Sequence, residues 1–149
     1  MRPAFLLIIV LLIMPPALAQ HFDPNRPGYE PFHMLAGGYD FYVDTNTMQV
    51  DQQGSIRFNV IGYSPREKKE GGFSQYTNEL NCRQGVYKPS FGRLAVSAAG
   101  RVTGNREGPA QTLTLRYDGG PLYNQLRSMC ERFSGLTEAE FEWLDRLPR

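Results

Sequence analysis

The chain has 149 residues, with 16 Lys and Arg against 15 Asp and Glu, and a formal charge of +1 with its histidines neutral. That near-balance argues against nucleic acid as the main partner, because phosphate recognition needs clustered Lys and Arg. It also leaves no polybasic segment for a membrane surface. The length is that of one domain with a single core, and plentiful Tyr and Phe favour strands over helices.

Residues 1–19 read as a cleavable signal peptide. Arg2 gives a positive start and residues 4–14 form an apolar run; Pro15-Pro16 breaks any helix, and Ala17-Leu18-Ala19 is the small-x-small pattern of a cleavage site. The run is much shorter than the roughly 20 residues needed to span a bilayer core; a short retained anchor is the alternative. Cleavage would make Gln20 the first residue and, with Arg2 gone, leave 15 basic against 15 acidic residues. No cysteine stands near that point to accept a lipid. The expected destination is therefore the periplasm or the exterior, without a stable membrane span.

Residues 20–38 contain Pro24, Pro27 and Pro31 with Gly28, Gly37 and Gly38. Proline fixes φ and lacks an amide donor, so this stretch reads as an extended or irregular arm outside the core. Both histidines, His21 and His33, fall here without other ligands at metal spacing, so no metal is expected.

Residues 39–134 read as a sheet followed by a helix. Tyr39, Phe41 and Val43 alternate with Asp40, Tyr42 and Asp44, a period of two. Asp44-Thr45-Asn46 reads as a turn, with Met48 and Val50 a short continuation. Ile56, Phe58 and Val60 alternate through a second strand over 55–63. The charged stretch 64–72 reads as a polar loop at a solvated hairpin end. A third strand covers about 73–82, with Tyr76, Leu80 and Cys82 in one parity. Short strands follow at 86–88 and 91–98, a turn at 98–100 leads into 101–103, 104–110 reads as a loop, and 112–117 alternates well. Frequent turns without intervening helices imply an antiparallel sheet.

The period changes after Gly120. Pro121 suits a first helical position, and Leu122, Leu126, Met129, Cys130 and Phe133 lie along one stripe of an α-helix. Residues 135–149 read as a short last helix. Thr137 and Glu140 form a capping box, Leu136 is placed to staple to Phe141, Trp143 lies beside the apolar side, and Pro148 stops it.

Cys82 and Cys130 are the chain's two cysteines. In an oxidising compartment they are most simply a disulfide, with two free thiols as the alternative. Strand parity at Cys82 and the helical stripe at Cys130 point both toward the same interface. The fold class expected is α+β, an antiparallel sheet of about six strands with a C-terminal helix on one face, tied by a disulfide.

Enzymatic signatures are sparse. A phosphate-binding Gly-rich loop, a His-Glu-x-x-His site and a Gly-x-Ser-x-Gly turn are all missing. Asp40 and Asp44, four apart on a strand, would stand about 13 Å apart, too far for most acid–base pairs. The expectation is a non-enzymatic domain without cofactor. Tyr42, Ile61, Tyr63 and Tyr87 fall off the core parity of their strands and, with Trp143, are candidate contact residues. The same positions would also suit a helix packed on that side.

The order of Phe41-Tyr42-Val43-Asp44, Ser55-Ile56-Arg57-Phe58-Asn59-Val60 and Tyr76-Thr77-Asn78-Glu79-Leu80-Asn81-Cys82 is distinctive. Gly100-Arg101-Val102 and Leu122-Tyr123-Asn124-Gln125-Leu126-Arg127-Ser128-Met129-Cys130 follow. Over residues 39–130 this resembles the surface-adhesin protein E-like family of small exported proteins from Gram-negative bacteria. The resemblance implies a sheet with a C-terminal helix bridged by Cys82 and Cys130, and adhesin-like binding of host or envelope proteins. The sequence departs from it in lacking a lipid-acceptor cysteine and in adding the segment after Cys130. The leading expectation is an exported protein-interaction domain with a protein partner. The alternative is a periplasmic small-ligand carrier with an apolar pocket between sheet and helix.

Overall fold

The computed structural model describes residues 23–34, 38–89, 93–108, 111–116 and 120–143. The expected leader, the proposed start at Gln20, His21 and the final residues 144–149 lie outside these. Among the described residues the strands are β1 (Tyr29–Phe32), β2 (Asp40–Val50), β3 (Ser55–Tyr63), β4 (Phe73–Asn81), β5 (Val86–Lys88), β6 (Arg93–Val96), β7 (Val102–Arg106) and β8 (Leu113–Thr114). Two helices accompany them, α1 (Pro65–Glu70) and α2 (Pro121–Phe133), with a 3-10 turn at Glu138–Glu140. One sheet runs β1-β2-β3-β4-β5-β8, and β6 pairs with both β4 and β7. Every pairing is antiparallel.

Alternation sets the two faces. Val43, Val60 and Tyr76 stand in register across β2, β3 and β4, and Ile56, Phe58 and Leu80 join them on the buried side. Helix α2 lays Tyr123, Leu126, Met129 and Cys130 against that side. Burying such side chains is worth roughly 1.5–3 kcal/mol each. Cys82 and Cys130 form the disulfide, their Cα atoms 5.4 Å apart across a sequence separation of 48. The sheet and the C-terminal helix are thus joined covalently.

Several local expectations change. The span 20–38, read as an arm outside the core, contributes β1, and Phe32 is buried with Phe41 and Phe58 in one core cluster. Pro31 is tolerated because β1 is an edge strand. Its carbonyl accepts from the Gln125 side-chain amide, while the Gln125 carbonyl accepts from the His33 N–H at 2.9 Å. One side chain of α2 therefore satisfies two backbone groups along the outer edge of β1 and just past its end, an edge that would otherwise invite foreign strands.

Asp44-Thr45-Asn46 is not a turn. Strand β2 runs through it, with a register shift between Asp44 and Gln49. Local side-chain bonds form here, from Asn46 N–H to the Asp44 carboxylate at 3.1 Å and from the Thr47 hydroxyl to the Asp44 carbonyl at 2.8 Å, but they shape a bulge. Part of the span expected as loop after residue 103 likewise continues β7 to Arg106.

The stretch 64–72 is a helix, not a loop. Ser64 and Glu67 complete a capping box, Pro65 opens α1, and Gly71 closes it at φ 77°. After α2, Thr137 donates from its N–H and hydroxyl to Glu140 at 2.7 and 2.9 Å. The capping pair forms as read, around a single 3-10 turn in the described residues.

Candidate interaction surface

On the sheet face opposite α2, Tyr42 stands across from Ile61, and Asp40 from Tyr63. Tyr42 and Tyr63 are thus diagonal neighbours, and their rings stack with centroids 5.9 Å apart and planes 10° from parallel. Strand β3 ends at Tyr63 and Ser64 caps α1 at once, so α1 folds back beside this pair. Its Lys68 ammonium lies 5.1 Å from the centre of the Tyr63 ring and pairs with the Asp40 carboxylate. Tyr42, Tyr63, Asp40 and Lys68 line an open hollow of about 400 Å³ together with Glu67 and Gly71. Burial, helped by a hydrogen bond with Tyr42, pushes the Tyr63 phenol up to about 12. Tyr63 is therefore neutral at physiological pH, and its ring is held on two sides, by Tyr42 and by Lys68.

Glu67 fixes α1 in this position. Its carboxylate accepts from the Ser64 N–H at 2.8 Å, the Ser64 hydroxyl at 2.9 Å, the Ser74 hydroxyl at 2.6 Å and the Arg93 guanidinium at 2.6 Å. Burial alone would raise its pKa, but these donors outweigh burial and hold it below the usual carboxylate range. A second hollow of about 510 Å³ on the other side of α1 is lined by Tyr39, Arg66, Glu70 and Arg93 among others. Both hollows combine aromatic and charged side chains, which suits polar contact with a protein surface better than enclosure of an apolar ligand.

The residues expected as contacts separate into two groups. Tyr42 is half-buried, while Ile61 and Tyr63 beside it are 4% and 9% exposed. These three lie together on the face away from α2, and of them Tyr42 is the one partly open to solvent. Tyr87 and Trp143, at 1% and 2%, lie in the core and are not surface residues of the monomer. Tyr87 stands across from Leu80 and so shares the core face; a three-residue strand is too short to reveal that parity. Trp143 follows the 3-10 turn inward and donates from Nε1 to the Cys82 carbonyl at 2.7 Å. Its segment packs on its own domain. Local pattern offers Asp40 only as a strand carboxylate paired with Asp44 and gives Glu67 and Lys68 no site role, although Ser64, Pro65, Glu67 and Gly71 carry a legible helix signature.

Among the described residues no group of His, Cys, Asp or Glu is arranged to hold a metal ion, and no helix is long and apolar enough to cross a membrane. No family model matches the sequence, and no curated protein matches it. Among solved structures, Haemophilus influenzae protein E shares 20% identity over 75% of this chain and 90% of its own, with a TM-score of 0.50. This chain shares the fold of protein E. A selenomethionine form of protein E gives 19% identity, 74% and 91% coverage and a TM-score of 0.49. The antiparallel sheet with its bridged C-terminal helix is accordingly a protein E-like fold.

Proposed function

We propose that this chain is an exported, non-enzymatic protein-interaction domain that binds host or envelope proteins in an adhesin-like manner. The resemblance read in the sequence supports that class of function, and the protein E-like fold is consistent with it. Export is supported by the leader-like first 19 residues and by a disulfide that suits an oxidising compartment.

The observation that carries the reading is the half-buried Tyr42, stacked on Tyr63 and edged by Asp40 and Lys68. A rigid aromatic with an apolar body and a polar tip makes contact area at low entropic cost, and paired charges on the rim give orientation. Immobilised wild-type and Tyr42→Ala chains, exposed in parallel to periplasmic extract and to host matrix proteins, test it. A partner retained by the wild type and lost by the variant supports this surface. Equal retention by both moves the contact elsewhere, and no retention by either removes the adhesin-like reading.

A further inference from the structure

Residues 134–143 return from α2 to the sheet end where the disulfide lies, and they do so through specific contacts. Cys82 and Cys130 are both at 0% exposure. The Ser134 hydroxyl donates to the Cys130 carbonyl at 2.6 Å, and the Trp143 indole donates to the Cys82 carbonyl at 2.7 Å. The segment therefore begins on one cysteine and finishes on the other. Between them, the Glu142 N–H donates to the Arg83 carbonyl at 3.0 Å, and Glu140 pairs with Arg83 at 3.3 Å.

Two turn glycines receive its large side chains. A Cβ at Gly54 would lie 2.5 Å from Leu136, and one at Gly85 would lie 2.4 Å from the Trp143 ring. Both glycines have left-handed backbone, φ 79° and 65°, so each turn both requires glycine and leaves room for the returning chain. Phe141 and Trp143 bury to 2% against Tyr123 and the rest of the core. Yet the only regular structure within the segment's described residues is one 3-10 turn. It is held by side chains and few backbone bonds, whereas the sheet is held by ladders. Segments of that kind open at lower free energy than core strands.

We propose that residues 134–143 are a latch over the Cys82–Cys130 bridge, and that a thiol reaches either sulfur only after the latch lifts. The exchange itself is ordinary. A dithiol's thiolate attacks one sulfur, the S–S bond breaks, and a mixed disulfide forms as one cysteine thiolate leaves. The dithiol's second thiol then displaces the other cysteine, so the protein gains two electrons and two protons while the dithiol becomes a cyclic disulfide. The latch decides when the first attack can begin. Oxidative repair and reduction of this domain are thereby governed by a local motion and not by unfolding of the sheet.

The test is reduction of the oxidised full chain by dithiothreitol, followed by alkylation and mass measurement across a urea series below the unfolding transition. In the wild type, the logarithm of the rate should rise with urea far less steeply than global unfolding does. Trp143→Ala should speed reduction without urea by about tenfold or more. Trp143→Phe, which keeps a ring but loses the indole N–H, should fall between. Val60→Ala, at the buried centre of β3, should lower global stability while leaving the rate without urea within about twofold. A wild-type slope equal to the global one overturns the latch, as does Val60→Ala accelerating reduction as much as Trp143→Ala. Should Trp143→Ala fail to fold, the wild-type slope and Val60→Ala still decide. As the chain's one tryptophan, Trp143 also reports latch opening by its fluorescence.

Discussion

The Tyr87 hydroxyl donates to the Asn78 side-chain oxygen at 2.9 Å, and both residues are 1% exposed. The tyrosine reaches diagonally from β5 to the neighbouring strand β4, past Leu80, to satisfy a polar group inside the core. Burial accordingly raises the Tyr87 phenol well above its usual range, so it stays protonated, and a donor, at physiological pH. Tyr87→Phe keeps the ring and removes that donor; a loss of about 1–2 kcal/mol is expected from urea unfolding. An unchanged midpoint would show that Asn78 is satisfied without it.

Loss of the disulfide should be costlier. With a separation of 48 residues, the chain-entropy account gives about 4 kcal/mol for the double replacement of Cys82 and Cys130 by Ala. Urea unfolding of the oxidised wild type and the double variant compares them. Mass measurement of unreduced protein should show a two-proton deficit, and two alkylatable thiols would refute the bridge.

Leu126 is fully buried where α2 meets the sheet. Leu126→Ala should cost about 2–5 kcal/mol, because the cavity lies between a helix and a sheet tied together and collapses poorly. Thermal unfolding checks the size of the effect. A loss below about 1 kcal/mol would mean that α2 is less firmly seated than its burial indicates.

Glu67 makes α1 sensitive to acid. Its folded pKa lies below the ordinary carboxylate value of 4.5, so its contribution is complete above that value and is lost as pH falls through the lowered folded pKa. Glu67→Gln should therefore be less stable than wild type at pH 7, and the gap should narrow below about pH 4.5. Urea midpoints of both proteins from pH 7 to pH 3 test this. A gap independent of pH would assign Glu67 a packing role only.

Gln125 covers the outer edge of β1 through the Pro31 carbonyl and the His33 N–H. Gln125→Ala should cost only about 1 kcal/mol, since water replaces both bonds at an exposed site. It should, however, speed amide exchange at His33 and raise the tendency of the chain to self-associate at high concentration. Unaltered exchange at His33 would show that another group protects that edge.

Much of the fold is legible in the chain itself. The alternation of Ile56, Phe58 and Val60 and the stripe of Leu126, Met129 and Cys130 each define a buried face from local periodicity. Cys82 and Cys130 sit on those two faces, so the pattern already points both toward one interface, where the bridge forms. Local capping chemistry is equally readable at Thr137 and Glu140, and the same signature stands at Ser64 and Glu67.

What the sequence determined by itself is therefore the class of fold and its staple, because faces and caps depend on neighbours within a few residues. The tertiary structure alone decided which off-parity aromatics meet at a surface. Tyr42 and Tyr63 come together through strand register and are fenced by α1, whereas Tyr87 and Trp143 turn inward to partners 9 and 61 residues away. It also decided that a proline-rich stretch could supply β1, because Gln125, 94 residues from Pro31, completes its edge. Long-range pairing of this kind depends on groups that only folding brings together, and no local pattern encodes it.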